Sequence, residues 1–172
     1  MATHASVGRR GLAASHGLAA ALFAIAACGA AQGAPELTVI GAVEEVALMP
    51  EGIVVPARID TGAAKSSLAA RNLEIRDRVA SFRLPEGYGG AVLRLRVVSW
   101  ARVRSNLGTE RRPVVEVDLC IASRRLRTRV NLDDREGLQY PMLLGRNTLE
   151  GNFLVDVQRS GTQPPHCVQE RP

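Results

Sequence analysis

The chain has 172 residues, room for one domain, and 46% of them are hydrophobic, enough for a packed core. Aromatics make up only 3%, so that core must be built mostly from Val, Leu, Ile and Ala. The formal charge of +5 falls to +3 once Arg9 and Arg10 are set aside, too mild to point to nucleic acid as a partner.

The first segment reads as a leader. Arg9 and Arg10 form a short positive region, and residues 18–27 are an apolar run of ten. A membrane-spanning helix needs roughly 20 residues, so this run has the form of a secretory signal. Residues 25–28, Ile-Ala-Ala-Cys, resemble the lipobox of bacterial lipoproteins, in which the cysteine is acylated and becomes the new N-terminus. Ordinary cleavage after Gly33 is the other reading, since Ala31-Gln32-Gly33 also has small residues at the right spacing. Both predict an exported protein, periplasmic or held at the membrane by lipid on Cys28. The expected layout is a signal peptide at 1–28 and a linker at 29–36.

Strands follow in series. Residues 37–46 are one candidate, and 53–59 another that runs straight into Asp60. Residues 91–103 alternate apolar side chains with Arg over much of their length, the period of a half-buried strand or hairpin. Residues 113–121 alternate too, and 126–132, 139–144 and 153–157 complete the set. Turn signals separate them at 50–52, 85–90, 106–108 and 133–137. A short helix is predicted at 146–150, before Gly151. The reading is all-β, a small barrel or sandwich over 37–160, followed by a flexible polar tail at 161–172.

Two compositional features stay open. Between Arg94 and Arg129 stand ten arginines against Glu110, Glu116 and Asp118. They suit either solvated strand faces or a face that prefers acidic partners. Outside the leader only Cys120 and Cys167 remain, an even pair in an oxidising compartment. They suit either a disulfide that ties the tail to a strand, or a buried Cys120 with a free Cys167.

The chemistry centres on Ile59-Asp60-Thr61-Gly62-Ala63. An apolar strand ends in a carboxylate, and Gly62 permits a tight turn that holds it at the tip. The Thr61 hydroxyl is expected to bond nearby backbone and stiffen the turn. Alone, Asp-Thr-Gly is an ordinary surface turn. Its weight comes from the strand before it and from the apolar-apolar-Gly element Leu143-Leu144-Gly145, whose glycine lies 83 residues after Gly62.

Asp60-Thr61-Gly62-Ala63 together with Leu143-Leu144-Gly145-Arg146-Asn147 resembles the two motifs of retropepsins. The match is closer to a bacterial family of small retropepsin-like proteins labelled ATP-dependent zinc proteases. It runs through residues 57–63, 66–68, 111–115, 140–146 and 153–156, and covers roughly 37–157. The resemblance implies a small closed β-barrel with one short helix. It implies catalytic roles for Asp60, Thr61 and Gly62, and substrate contacts from Ala63 and Arg112. Leu143, Leu144, Gly145 and Arg146 would thread beside the catalytic turn and buttress it.

The zinc and ATP label does not suit the residues. His4 and His16 lie in the leader, which leaves His166 alone, and zinc hydrolysis needs about three protein ligands. Ala64-Lys65-Ser66 lacks the glycines of a phosphate-binding loop. Neither metal nor cofactor is expected. The chain also departs from viral retropepsins, which carry an acidic residue where Ala64 stands, so Arg146 must find a different partner. A flap is expected at 85–90, where Gly87, Gly89 and Gly90 suit a mobile hairpin tip, or else at 105–109.

Aspartic catalysis needs two carboxylates sharing one proton. The chain has one Asp-Thr-Gly, and neither Asp156 nor Asp133-Asp134 supplies a second. The second carboxylate is expected from Asp60 of another copy across a two-fold axis, so the peptidase is a homodimer acting on peptide or protein substrates. The arginine excess hints at acidic ones. The rival reading is a non-catalytic secreted β-barrel that binds peptides or scaffolds a partner, because small barrels host many functions.

Overall fold

A computed structural model describes residues 36–105 and 108–167 of the chain. The leader with Cys28, and so the expected signal and lipidation site, lies outside the described residues.

Eleven strands are described. They are β1 (Thr38–Gly41), β2 (Val43–Met49), β3 (Ile53–Ile59), β4 (Ser66–Ala69), β5 (Arg71–Arg76), β6 (Val79–Arg83), β7 (Val92–Ser105), β8 (Gly108–Ile121), β9 (Arg124–Asp133), β10 (Met142–Leu144) and β11 (Phe153–Asp156). The helix α1 spans Arg146–Leu149. Alternation drives the pairing. In β3 the side chains of Val55, Ala57 and Ile59 point inward. In β9 Arg125, Arg127 and Arg129 point out while Thr128 and Val130 point in.

The main sheet closes on itself. Its order runs β2, β3, β10, β4, β9, β8, and β8 pairs back onto β2. This ring of six strands is the expected small closed barrel. From β8 the sheet continues outward through β7 and β6 to β5, and β1 pairs with β11 in a separate parallel ribbon. The interior is aliphatic, as the composition requires: Val46, Val55, Leu68, Leu119, Val130 and Leu144 have no exposed surface. Each such residue contributes on the order of 1.5–3 kcal/mol by leaving water.

The outward arginines of β9 stand opposite acids of β8. Arg129 faces Glu116 and Arg127 faces Asp118, at 3.0 and 2.8 Å. Two of the ten arginines between Arg94 and Arg129 are therefore held by cross-strand pairing on a solvated face. The hydrogen bond from Arg127 holds Asp118 below the usual carboxylate range.

Several boundaries differ from expectation. The single strand at 37–46 breaks at Ala42, whose amide bonds the Arg159 carbonyl while its own carbonyl accepts from Ile59. There the chain leaves the β1–β11 ribbon and enters the barrel. β4, β5 and β6 had no sequence counterpart. β4 is buried at all four positions, so it does not alternate. The β5–β6 turn uses Asp77 and Arg78 at φ 49° and 62°, with no glycine to signal it.

The expected flexible tail is a correction over 161–167. Gly161 donates to the Val43 carbonyl at 2.7 Å. The backbone and hydroxyl of Thr162 donate to the buried Glu44 carboxylate at 2.9 and 2.7 Å. Cys120 and Cys167 form a disulfide. A buried carboxylate requires donors, and the tail supplies two of them. The first flap candidate is likewise a closed turn: residues 86–88 form a 3-10 turn, Gly89 donates to the Glu86 carbonyl, and Arg83 clasps the Gly90 carbonyl at 2.8 Å. The second candidate, 105–109, spans the end of the long β7–β8 hairpin, although residues 106 and 107 are not among those described.

Candidate active site

β3 delivers Asp60 to the barrel rim. Leu144 lies beside Ile59 in the parallel pairing of β10 with β3, and the Asp60 amide donates to the Leu144 carbonyl at 2.9 Å. The chain then turns sharply. The Asp60 carboxylate caps this turn itself: Oδ1 accepts from the amides of Gly62 at 2.9 Å and Ala63 at 3.0 Å. The half-buried carboxylate is thus fixed through one oxygen, and among the described residues nothing bonds Oδ2. Thr61 and Gly62 are exposed. The Thr61 hydroxyl makes no hydrogen bond among the described residues. Stiffness comes from the carboxylate and from Arg146 instead.

The second motif buttresses the turn through backbone and guanidinium. Arg146 Nη1 donates to the carbonyls of Thr61 at 3.0 Å and Gly62 at 2.8 Å. These carbonyls are the partner that Ala64 cannot supply. The Arg146 amide donates to the Ala63 carbonyl at 2.9 Å. Gly145 passes so close that an added Cβ would sit 2.7–2.8 Å from the backbone of Lys65 and Ala63. Leu144 is fully buried under the turn, and Leu143 pairs with Ser67 across β4.

Beneath the turn lies a polar layer to which sequence reasoning assigns no role. Ser66 Oγ accepts from the Gly145 amide at 3.0 Å and lies 2.7 Å from Thr148 Oγ1. Asn147 Oδ1 accepts the Ser66 amide at 2.7 Å, and its Nδ2 donates to the Arg129 carbonyl at 2.8 Å. Thr128 and Thr148 hydroxyls meet at 2.9 Å. Asn131 Nδ2 donates to the Ser66 carbonyl at 2.7 Å. The available signal was hydroxyl and amide residues standing beside apolar ones on β4, β9 and α1.

The layer continues to Arg112. Its Nη1 reaches Asn131 Oδ1 at 3.3 Å and Asp133 at 2.6 Å, and Glu110 pairs with its Nη2. Burial pushes the Asp133 carboxyl up, with Arg112 opposing. Arg135, its guanidinium pulled down by burial, donates to Ser67 Oγ at 2.7 Å. Arg112 is therefore joined to the Asp60 turn through Asn131 and Ser66, with its charge already matched. His166 lies on the surface against the Pro164 carbonyl. Among the described residues no group of three His, Cys, Asp or Glu is placed to hold a metal ion.

The arrangement presents an anchored carboxylate on an exposed, backbone-clamped turn, and known proteins resemble it. The crystal structure of Lpg0085, a Legionella pneumophila protein of unknown function, superposes with a TM-score of 0.65 at 27% identity, covering 74% of this chain and 98% of that one. No curated protein matches the chain. A family model described as RimB-like, retropepsin-like aspartic endopeptidase RimB, matches residues 39–166. With that match spanning the whole barrel and both motifs, the chain belongs to the RimB-like family of retropepsin-like proteins.

Proposed function

We propose that the chain is an aspartic endopeptidase whose site is completed by Asp60 of the partner subunit. The observation that carries this is the Asp60 turn: Oδ1 is held by two amides, the turn is clamped by Arg146, and Oδ2 has no intrachain bond among the described residues. A carboxylate held in that way is ready to orient a water but cannot alone be both base and acid. Two such turns facing across a two-fold axis would share one proton. One carboxylate takes a proton from water as it attacks the scissile carbonyl, and the other donates to the carbonyl oxygen. Thr61, Gly62 and Ala63 would shape the rim that an extended peptide crosses. Arg112 would contribute through the polar layer, and the chain's overall arginine excess would favour acidic peptides. The leader would export the protein, with Cys28 as its lipid anchor.

Asp60→Asn tests the reading. Asn keeps the acceptor at Oδ1, so the fold should survive, while peptidase activity should drop by at least about 10²–10⁴-fold. Wild-type activity should be bell-shaped in pH, because the pair titrates in two steps and only the singly protonated form works. It should also survive a strong chelator. Activity retained by Asp60→Asn, or lost to chelator and restored by zinc, would overturn the assignment.

A further inference from the structure

The distal half of the β7–β8 hairpin carries charge that the fold does not use. Trp100 stands opposite Pro113, Arg102 opposite Arg111, and Arg104 opposite Thr109. Side chains alternate across a ribbon, so these six share one face. Arg102, Arg104 and Arg111 are exposed, and Trp100 keeps 45% of its surface in water. Among the described residues of the hairpin no carboxylate shares this face: Glu110 lies on the other one, where Arg112 holds it.

On β9 the exposed arginines are matched to acids, but here they are not. Among the described residues Arg102 and Arg104 enter no ion pair, and Arg111 meets only the Trp100 ring, 5.0 Å from its centroid. Arg102 and Arg111 are directly opposed like charges, an unfavourable arrangement on a two-stranded ribbon unless an anionic partner offsets it. The opposite face carries Arg112, which bonds Asp133 and Asn131, while on the Trp100 face only Pro113, at the barrel end, is buried. The Trp100 face is thus the side of the ribbon turned from the network that supports Asp60.

Guanidiniums alone would suit any polyanion. An exposed indole set among them is the composition of a membrane–water interface, where the ring enters the headgroup layer and the cations meet lipid phosphates. A net charge of only +3 outside Arg9 and Arg10, with the unmatched arginines on one hairpin face, favours lipid over nucleic acid. We propose that this face docks on an anionic bilayer, with Trp100 in the headgroup layer and Arg102, Arg104 and Arg111 on lipid phosphates.

Trp100 is the single tryptophan of the chain, so its emission reports on this face alone. The full chain is mixed with vesicles of phosphatidylcholine, with or without an equal part of phosphatidylglycerol. The expected result is a blue shift and co-sedimentation with the anionic vesicles only, weakened by salt. Arg102→Glu with Arg111→Glu should lower apparent affinity at least about 25-fold, taking roughly fivefold per charge near the surface. Arg102→Gln with Arg104→Gln, checked by circular dichroism, gives the same direction with less risk to the fold. Inorganic phosphate should leave the emission unchanged. Because every variant keeps the leader, sedimentation unaffected by the substitutions and without a Trp100 shift would assign binding to the leader and overturn the proposal. A shift with an acidic peptide or duplex oligonucleotide but none with vesicles would overturn it as well.

Discussion

Gly145 has no room for a side chain, because the backbone of Lys65 and the Ala63 carbonyl fill the space a Cβ would take. Backbone cannot swing aside as a side-chain tip can. Gly145→Ala should therefore destabilise the protein by about 1–3 kcal/mol and displace the Asp60 turn, read as a lower urea midpoint together with lost activity. Asn147 acts by hydrogen bonding. Asn147→Ala would strand the Ser66 amide and should cost about 1–3 kcal/mol in the same measurement. Asp60, Gly62, Gly145 and Arg146 were legible because a carboxylate, two glycines and a guanidinium at those spacings have few other uses. Ser66, Asn147 and Thr148 were not, because a small polar residue on a short strand or helical turn reads as surface until the fold shows it buried. The hydroxyl of Thr61 was given a stiffening role that Arg146 performs.

The strands most plainly legible were the ones with a period of two. β8 and β9 show mostly apolar residues inward and arginines or acids outward, and their burial follows that pattern. β4 gave no such signal because both its faces are covered, and the β5–β6 hairpin hid behind a turn without glycine. The β8–β9 ladder also carries a pH dependence. Arg127 lowers the folded value of Asp118, so this pair adds stability above about pH 4, the ordinary carboxylate range, and loses it as pH falls through the folded value. Arg127 is largely exposed, so solvent screens the pair and its contribution is small. Urea melts of wild type and Asp118→Asn should differ at neutral pH and converge in acid. Asp133 works in the opposite sense. Its folded value is raised by burial, so its ionised form opposes folding at neutral pH, and that penalty fades as pH falls through the raised value.

For the molecule as a whole, the C-terminal segment closes the structure. Gly161 and Thr162 dock on β2, and the disulfide joins Cys167 to Cys120 across 47 positions. In the loop-entropy picture a closure of that length is worth about 4 kcal/mol, so Cys120→Ala or reductant should lower the unfolding free energy, read from urea melts, by up to that amount while leaving the Asp60 turn assembled. Polar composition and two prolines made this segment look loose, since neither a disulfide nor a buried carboxylate can be located without distances. Under the proposed mechanism the second carboxylate comes from Asp60 of another copy. Subunit mixing tests this most directly: Asp60→Asn chains are added in excess to wild type, and subunit exchange is verified by mass-labelled chains. A shared site predicts that heterodimers are nearly inactive, so total activity falls as mutant is added and falls faster than concentration on dilution. Activity that stays proportional to the wild-type chains present, with exchange proven, would contradict the shared site and place the whole site within one copy.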